Sequence, residues 1–162
     1  WSLSIKFPNI YQIIGNNYFL DEYVGAGMYL ILGILMMVMF YMAYRKVRVT
    51  KEMVILMVVF FGILTTYFIP HMHERYLYVT DAFLLIYALI RVKRFPWFVA
   101  SAFIGVMGYA EYLSKNPPAI SYGVLAWAQL ALLVRIGLDL YHYLHNPEYV
   151  LPADAEEERR IL

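Results

Sequence analysis

Long apolar runs follow one another along this chain, and short segments rich in charge, proline or polar residues separate them. Five runs approach the roughly 20 residues that a helix needs to cross a hydrocarbon core of about 30 Å. They cover residues 23–44, 53–69, 76–90, 95–113 and 122–140. Of the whole chain, 62% is hydrophobic and only 15% charged, against about 45–50% and about 25% in soluble domains. The sequence therefore predicts an all-α integral membrane protein with about five transmembrane helices.

Charge and cysteine content exclude several other classes of protein. The net charge is only +1, and no basic stripe marks a nucleic-acid surface, so we expect no nucleic-acid partner. The absence of cysteine excludes disulfides, thiolate metal sites and cysteine nucleophiles. The chain begins with Trp1, and no basic leader precedes an apolar segment as in a signal peptide. We therefore expect a piece of a longer chain, completed by its remaining N-terminal part or by a partner chain.

Lysine and arginine are distributed unevenly between the loops, which predicts the orientation because basic residues stay on the cytoplasmic side. Seven lie in the first and third loops, namely Arg45, Lys46, Arg48, Lys51, Arg91, Lys93 and Arg94. Only three lie in the alternate segments, namely Lys6, Arg75 and Lys115. We therefore expect an N-terminus outside and a cytoplasmic C-terminus in the cell (plasma) membrane.

The two ends of the chain differ from the transmembrane helical domain, residues 23–140. Residues 1–22 are apolar and aromatic but interrupted by proline, glycine and asparagine, so they predict an outer interfacial segment and not a regular span. That depth suits the aromatic residues Trp1, Tyr11, Tyr18 and Phe19. Either these aromatics pin a loop at the interface, or the segment shapes a groove for a lipid substrate. Residues 141–162 mix charges with two prolines and predict a solvated cytoplasmic tail.

The densest polar cluster lies directly between the second and third runs and contains His71, His73, Glu74 and Arg75. The flanking runs have 17 and 15 residues, or about 25 and 22 Å of helix at about 1.5 Å per residue. Both are shorter than the hydrocarbon core and anchored by basic residues at the cytoplasmic side, so the turn should lie at or slightly below the outer boundary. Backbone at that depth needs protein or water around it. We therefore expect the cluster in an outer cavity.

Asp81 lies within the third run, where an ionisable side chain is costly and marks a functional site by default. Glu74, Tyr78 and Asp81 follow one another at i, i+4 and i+7 and therefore share one helical face. We expect that face to line the cavity. The alternative is that Asp81 and Glu74 only neutralise Arg75 or a basic residue on another helix.

Two chemistries compete for this cluster. Imidazole and carboxylate groups suit a divalent metal, but a third ligand and an open position would still be needed, and Glu74 is equally placed to orient a histidine. We therefore expect no cofactor and keep a metal on His71 and His73 as the weaker alternative. Arg75 carries a planar fork that matches phosphate oxygens and stays charged in a partly desolvated site. It predicts an anionic ligand.

The run from Phe68 to Tyr78, Phe-Ile-Pro-His-Met-His-Glu-Arg-Tyr-Leu-Tyr, resembles the Met-His-Glu-Arg-Tyr signature of class C (GT-C) membrane glycosyltransferases related to the GPI mannosyltransferases. Residues 7–11, Phe-Pro-Asn-Ile-Tyr, followed by Gly15 and Asn16, look like a loop found upstream of that signature in the same family. The resemblance covers roughly residues 8–90. It implies a multi-span inverting enzyme that moves a sugar from a polyprenyl-phosphate donor to an acceptor on the outer face.

By analogy, the substrate-binding residues belong to the signature and to the helical face that follows it. They are His71, His73, Glu74, Arg75, Tyr76, Tyr78 and Asp81, with Arg75 or a histidine meeting the donor phosphate. The family's catalytic carboxylate usually lies in the first outer loop, so the resemblance leaves the catalytic residue unknown and implies that this chain alone is inactive. The alternatives are a non-catalytic membrane subunit or scaffold of an envelope glycan or lipid pathway, and a transporter or a metal or haem protein that uses the histidines.

Two further features predict structure and not chemistry. Arg135 and Asp139 stand at i and i+4 near the end of the last run, and this spacing predicts a helix-supporting ion pair. Ser101 and Gly105 form a small-xxx-small pair in the fourth run. Such a pair permits close approach of a neighbouring helix.

Overall fold

A computed structural model of the chain describes residues 7–14, 22–70, 76–114 and 120–146. The regular elements in these ranges are all helices, with no β-strand among them, so the predicted all-α fold is confirmed for this part of the chain. The elements are α1 (Tyr11–Ile14), α2 (Glu22–Arg45), α3 (Lys51–Phe68), α4 (Leu77–Ile90), a 3₁₀ turn (Val92–Arg94), α5 (Phe95–Ser114) and α6 (Tyr122–His145).

The five predicted runs coincide with α2 to α6, since long apolar sequence favours continuous helix. Pro96 lies in the first turn of α5, where proline is tolerated because its missing N–H has no partner within the helix. Three of these helices are long and apolar enough to span a membrane, over Gly25–Arg45, Lys51–Phe68 and Tyr122–His145. Helix α4 is also apolar but has only 14 residues. Helix α6 continues beyond the predicted end of its run because Tyr143 and Leu144 are buried against the bundle. The described residues thus belong to a membrane protein with three candidate spans.

Local sequence explains where the helices end. Lys46 adopts a left-handed φ of 52° after α2, and the next N–H, that of Val47, donates to the carbonyl oxygen of Met42 at 3.0 Å. This is a Schellman ending, with the buried Val47 and Met42 as its apolar contact. Thr50 precedes α3 as its N-cap, and its side chain accepts a hydrogen bond from the Met53 N–H at 3.2 Å. The helix ends at Phe68, two residues before Pro70, because proline disfavours helical backbone at the residue before it.

Helix α3 is the centre of the bundle and packs against α2, α4 and α6, while α5 packs against α4 and α6. Its fully buried residues include Met53, Leu56, Val59 and Ile63. Helix α2 lies at the periphery, because only 11% of its most apolar stretch is buried, against 44% in α6. An apolar helix that is exposed on most sides requires lipid or another apolar surface around it.

The helices define two ends of the bundle. At the first, the Nε atom of Arg91, which follows α4, lies 2.6 Å from Glu52 Oε1 at the start of α3, and its Nη2 donates to the Tyr143 hydroxyl of α6 at 3.1 Å. These hydrogen bonds, to Glu52 first and then to Tyr143, raise the pKa of Arg91 above its usual range. We call this the Arg91 end. Helix α3 ends and α4 begins at the opposite end, the Tyr76 end.

Candidate functional site

The predicted substrate cluster begins in the connection between α3 and α4, the two helices that meet at the Tyr76 end. Four of its residues, His71, His73, Glu74 and Arg75, lie outside the described residues. The residues on either side, Pro70 and Tyr76, are described. The end of α3, the start of α4 and the segments that pack on them are described, and they flank the cluster in sequence.

The N-terminal segment packs directly on the end of α3. The Tyr11 hydroxyl donates to the main-chain carbonyl oxygen of Phe68 at 2.8 Å, and the Ile10 N–H donates to that of Tyr67 at 3.3 Å. Tyr11 is only 3% exposed and Phe7 is fully buried. An interfacial preference does not predict this position for Tyr11, which is held by packing and a hydrogen bond within the protein. The other expected interfacial aromatics, Trp1, Tyr18 and Phe19, lie outside the described residues.

Helix α2 contributes a third surface to the same place. Gly27 lies so close to the Phe68 carbonyl oxygen that a Cβ atom on it would overlap that oxygen, and the same atom would lie 3.6 Å from the Tyr11 hydroxyl. Glycine therefore permits a close approach that no other residue allows. The segment around Tyr11, helix α2 and helix α3 converge at Phe68, three residues before the predicted cluster.

The first turns of α4 present two tyrosines at this end. Tyr76 and Tyr78 are each 54% exposed. The Tyr78 ring stacks on Tyr109 of α5, with ring centroids 5.7 Å apart and an interplanar angle of 21°. Both predicted site tyrosines thus remain accessible at the Tyr76 end, and Tyr78 is oriented by α5.

Asp81 faces the same neighbour one turn further along α4. Ser101 of α5 is fully buried, and its hydroxyl donates to Asp81 Oδ1 at 2.5 Å. A Cβ atom on Gly105 would lie 3.8 Å from Asp81 Oδ2, so the predicted small-residue pair does lie at a helix contact. Tyr78 and Asp81 therefore share a face, as expected, and that face is turned towards α5. That it also lines a substrate cavity stays a prediction.

Three buried polar side chains near this end were not singled out by the sequence. Asn9 Nδ2, the Tyr67 hydroxyl and both polar atoms of Gln129 are buried without a hydrogen-bond partner among the described residues. Buried polar groups normally have partners. Of the three, Gln129 could have been identified from the sequence, because its amide lies in the middle of an apolar run.

The helix geometry places Tyr67 and Gln129 at the same depth. A Cβ atom on Gly137 of α6 would lie 3.2 Å from the Phe60 ring of α3, which fixes the register of these antiparallel helices. Tyr67 follows Phe60 by seven residues and Gln129 precedes Gly137 by eight, so both lie about 10–12 Å from that contact at about 1.5 Å per residue. Asn9 lies at the same end of the bundle, since its neighbour Ile10 bonds to the Tyr67 carbonyl oxygen.

No group of three or more histidine, aspartate or glutamate side chains able to hold a metal occurs in the described ranges. The weaker metal hypothesis concerned His71 and His73, which are not in these ranges. The described geometry therefore does not test the metal hypothesis.

A second polar cluster lies at the Arg91 end. Asp139 is 1% exposed, and its Oδ1 atom lies 3.0 Å from Arg135 Nη1, which confirms the predicted i,i+4 pair. The same oxygen lies 2.7 Å from Arg94 Nη2, a contact between two helices that sequence spacing does not reveal. The Tyr87 hydroxyl donates to Asp139 Oδ2 at 3.5 Å. One buried carboxylate therefore joins α4, the 3₁₀ turn and α6.

Comparison with protein-family models, with characterised proteins and with solved structures finds no match to this chain.

Proposed function

We propose that this chain is the C-terminal membrane part of a class C glycosyltransferase. It takes a sugar from a polyprenyl-phosphate donor and passes it to an acceptor on the extracytoplasmic face. The proposal includes five spans, formed by α2 to α6, with the Tyr76 end outside and the Arg91 end at the cytoplasmic side of the plasma membrane. The catalytic carboxylate is supplied by sequence outside this chain.

One observation carries the proposal. The two segments with family resemblance, residues 7–11 and 68–78, are far apart in sequence, yet the first is hydrogen-bonded to the start of the second through Tyr11 and Phe68. Two motifs that serve one substrate site must lie together in space. The two segments that resemble the family therefore also contact each other, although neither segment by itself predicts that contact.

The chemistry near that contact also favours a sugar-phosphate substrate. The Asn9, Tyr67 and Gln129 groups that have no hydrogen-bond partner in the described ranges offer hydrogen bonds to a polar ligand entering from the Tyr76 end. Asp81 is an ionisable group within an apolar helix, the kind of residue that usually marks a substrate path in membrane proteins. Arg75 supplies a bidentate donor suited to phosphate.

The test is sugar transfer by the complete protein in liposomes, using a polyprenyl-phosphate sugar as donor. Arg75→Lys keeps the charge but loses the planar fork. Losing one charge-assisted hydrogen bond, worth about 1.5–3 kcal/mol, should lower transfer about tenfold or more at unchanged recovery of folded protein. The matched control is Arg48→Lys. Arg48 is exposed and lies at the Arg91 end, so this variant should retain wild-type transfer.

Two results would count against the proposal. Equal transfer by the Arg75→Lys and wild-type proteins would remove Arg75 from donor binding. A complete, folded protein that transfers no sugar but co-purifies with an active transferase would instead identify a non-catalytic subunit.

A further inference from the structure

A small cavity opens beside the ion cluster of the Arg91 end, far from the proposed substrate site. It has a volume of about 190 Å³, and its lining includes Arg91, Arg94, Asp139, His142 and Asn146. The share of liquid volume per water molecule is about 30 Å³, so the cavity is larger than a single ordered water requires. Each residue of its lining carries a polar side-chain group, unlike the residues that line the apolar grooves elsewhere on the bundle.

Among the described residues, arginines outnumber carboxylates around the cavity. Arg91, Arg94 and Arg135 pair there with two carboxylates, those of Glu52 and Asp139. Asp139 is 1% exposed behind two of these arginines, whereas the Arg94 and Arg91 side chains are 29% and 51% exposed. The guanidinium groups therefore face the opening, and each has N–H donors beyond those used in its ion pair.

The surroundings of the cavity are also basic. Eight lysine and arginine side chains lie at this end of the described bundle, namely Arg45, Lys46, Arg48, Lys51, Arg91, Lys93, Arg94 and Arg135, against Glu52 and Asp139. Clusters of four to eight basic residues next to a membrane span attract anionic lipid headgroups, each contributing about 1 kcal/mol near a charged surface. The ligand that suits this end is therefore an anion at membrane depth.

An apolar groove next to the cavity distinguishes a lipid from a soluble anion. Arg135 is paired with Asp139 in the cavity wall. It also lines a groove of about 400 Å³ on the exposed face of α6. The rest of that groove is apolar and includes Trp127, Val134 and Leu138, which are 59%, 55% and 47% exposed. A cationic cavity beside an apolar groove matches a molecule with an anionic head and a hydrocarbon tail.

We propose that the Arg91 end binds an anionic phospholipid, with its phosphate in the cavity between Arg94, Arg91 and His142 and an acyl chain along the groove past Arg135. Arg94 is the central contact, because it combines partial exposure with a fixed position against Asp139. The bound lipid stabilises the contacts that Arg91 and the 3₁₀ turn make with α6 at this end. This site is separate from the proposed donor site and does not depend on the proposed glycosyltransferase activity.

The test is native mass spectrometry of the complete protein with phosphatidylglycerol, phosphatidylcholine or inorganic phosphate as the added probe. We expect saturable binding of phosphatidylglycerol, at least about tenfold weaker binding of phosphatidylcholine, and no displacement of phosphatidylglycerol by millimolar inorganic phosphate. Arg94→Gln should weaken phosphatidylglycerol binding about tenfold. The neighbouring Lys93→Gln removes the same charge from an exposed position and should change binding less than twofold.

A second variant keeps the test informative if Arg94→Gln does not fold. His142 is exposed and lines the cavity, so His142→Ala should fold and should weaken phosphatidylglycerol binding severalfold. Equal losses in Lys93→Gln and in either cavity variant would mean diffuse attraction and would overturn the site. Unchanged binding in the cavity variants, or full displacement by inorganic phosphate, would also overturn it.

Discussion

The Tyr11 hydroxyl and the Phe68 carbonyl oxygen are joined by a 2.8 Å hydrogen bond across 57 residues of sequence. Phe68 is the last residue of α3, so its carbonyl lacks a partner within the helix, as all terminal helix carbonyls do. Tyr11 supplies the missing donor from another segment. The bond therefore ties the N-terminal segment to the position from which residues 69–76 depart.

Tyr11→Phe removes only the hydroxyl that makes this bond. Because the Phe68 carbonyl then loses its partner in a partly buried position, we expect a loss of about 1–3 kcal/mol in the free energy of unfolding. Tyr44→Phe is the matched control, since Tyr44 is 75% exposed and should change stability by less than about 0.5 kcal/mol. Thermal unfolding in detergent measures both, and equal midpoints would contradict the structural role of the Tyr11 hydroxyl.

Gly27→Ala and Gly33→Ala should have opposite effects although both residues belong to α2. The alanine Cβ at position 27 would overlap the Phe68 carbonyl oxygen, whereas nothing lies within 4 Å of a Cβ at position 33. Overpacking of this kind costs about 1–3 kcal/mol, while alanine gains up to about 1 kcal/mol over glycine in an open helix position. A stabilising Gly27→Ala variant, measured in the same unfolding assay, would mean that α2 does not approach Phe68 closely.

Ser101→Ala should weaken the contact between α4 and α5. It removes the hydroxyl that donates to Asp81, and hydrogen bonds to charged groups contribute about 1.5–3 kcal/mol. Ser121→Ala is the control, because Ser121 precedes α6 without making a side-chain cap hydrogen bond. If both serine variants unfold at the wild-type temperature, Asp81 is not held by Ser101.

Asp139→Asn should destabilise the Arg91 end more than Glu52→Gln does. Asp139 is buried and pairs with two arginines, whereas Glu52 pairs with the half-exposed Arg91. Removing one member of a buried ion pair costs about 3–5 kcal/mol, and a solvent-exposed pair contributes about 0–1 kcal/mol. The partial exposure of Arg94 and Arg135 places the expected loss below the upper value. Denaturant unfolding compares the two variants, and a larger effect of Glu52→Gln would contradict this ranking.

Single cysteines at positions 48 and 121 test the proposed orientation, because the wild-type chain has no cysteine. Arg48 and Ser121 are both exposed and lie at opposite ends of the bundle. In intact cells, a membrane-impermeant thiol reagent should label Ser121→Cys and leave Arg48→Cys unlabelled. The reverse pattern would invert the orientation, and permeabilised cells provide the control that both thiols react.

The pattern of apolar runs was enough to predict an all-α membrane protein and the positions of its main helices. Apolar runs long enough to approach a membrane crossing leave few alternatives to helix, since unpaired backbone groups are costly in lipid. Local residues such as Thr50 before α3 and Pro70 after it account for the observed boundaries of that helix, which differ by one or two residues from the predicted run. The pair of Arg135 and Asp139 was also predictable, because i,i+4 neighbours on one helix need no tertiary information.

Which helices meet, and therefore which distant residues form a site, depends on tertiary packing. The bond from Tyr11 to Phe68 and the second arginine on Asp139 both join separate elements. Hydrophobic periodicity identifies apolar faces but not their partners, because burial in lipid and burial against another helix favour the same residues. Helix packing selected the partners through local fit, as Gly27 against Phe68 illustrates.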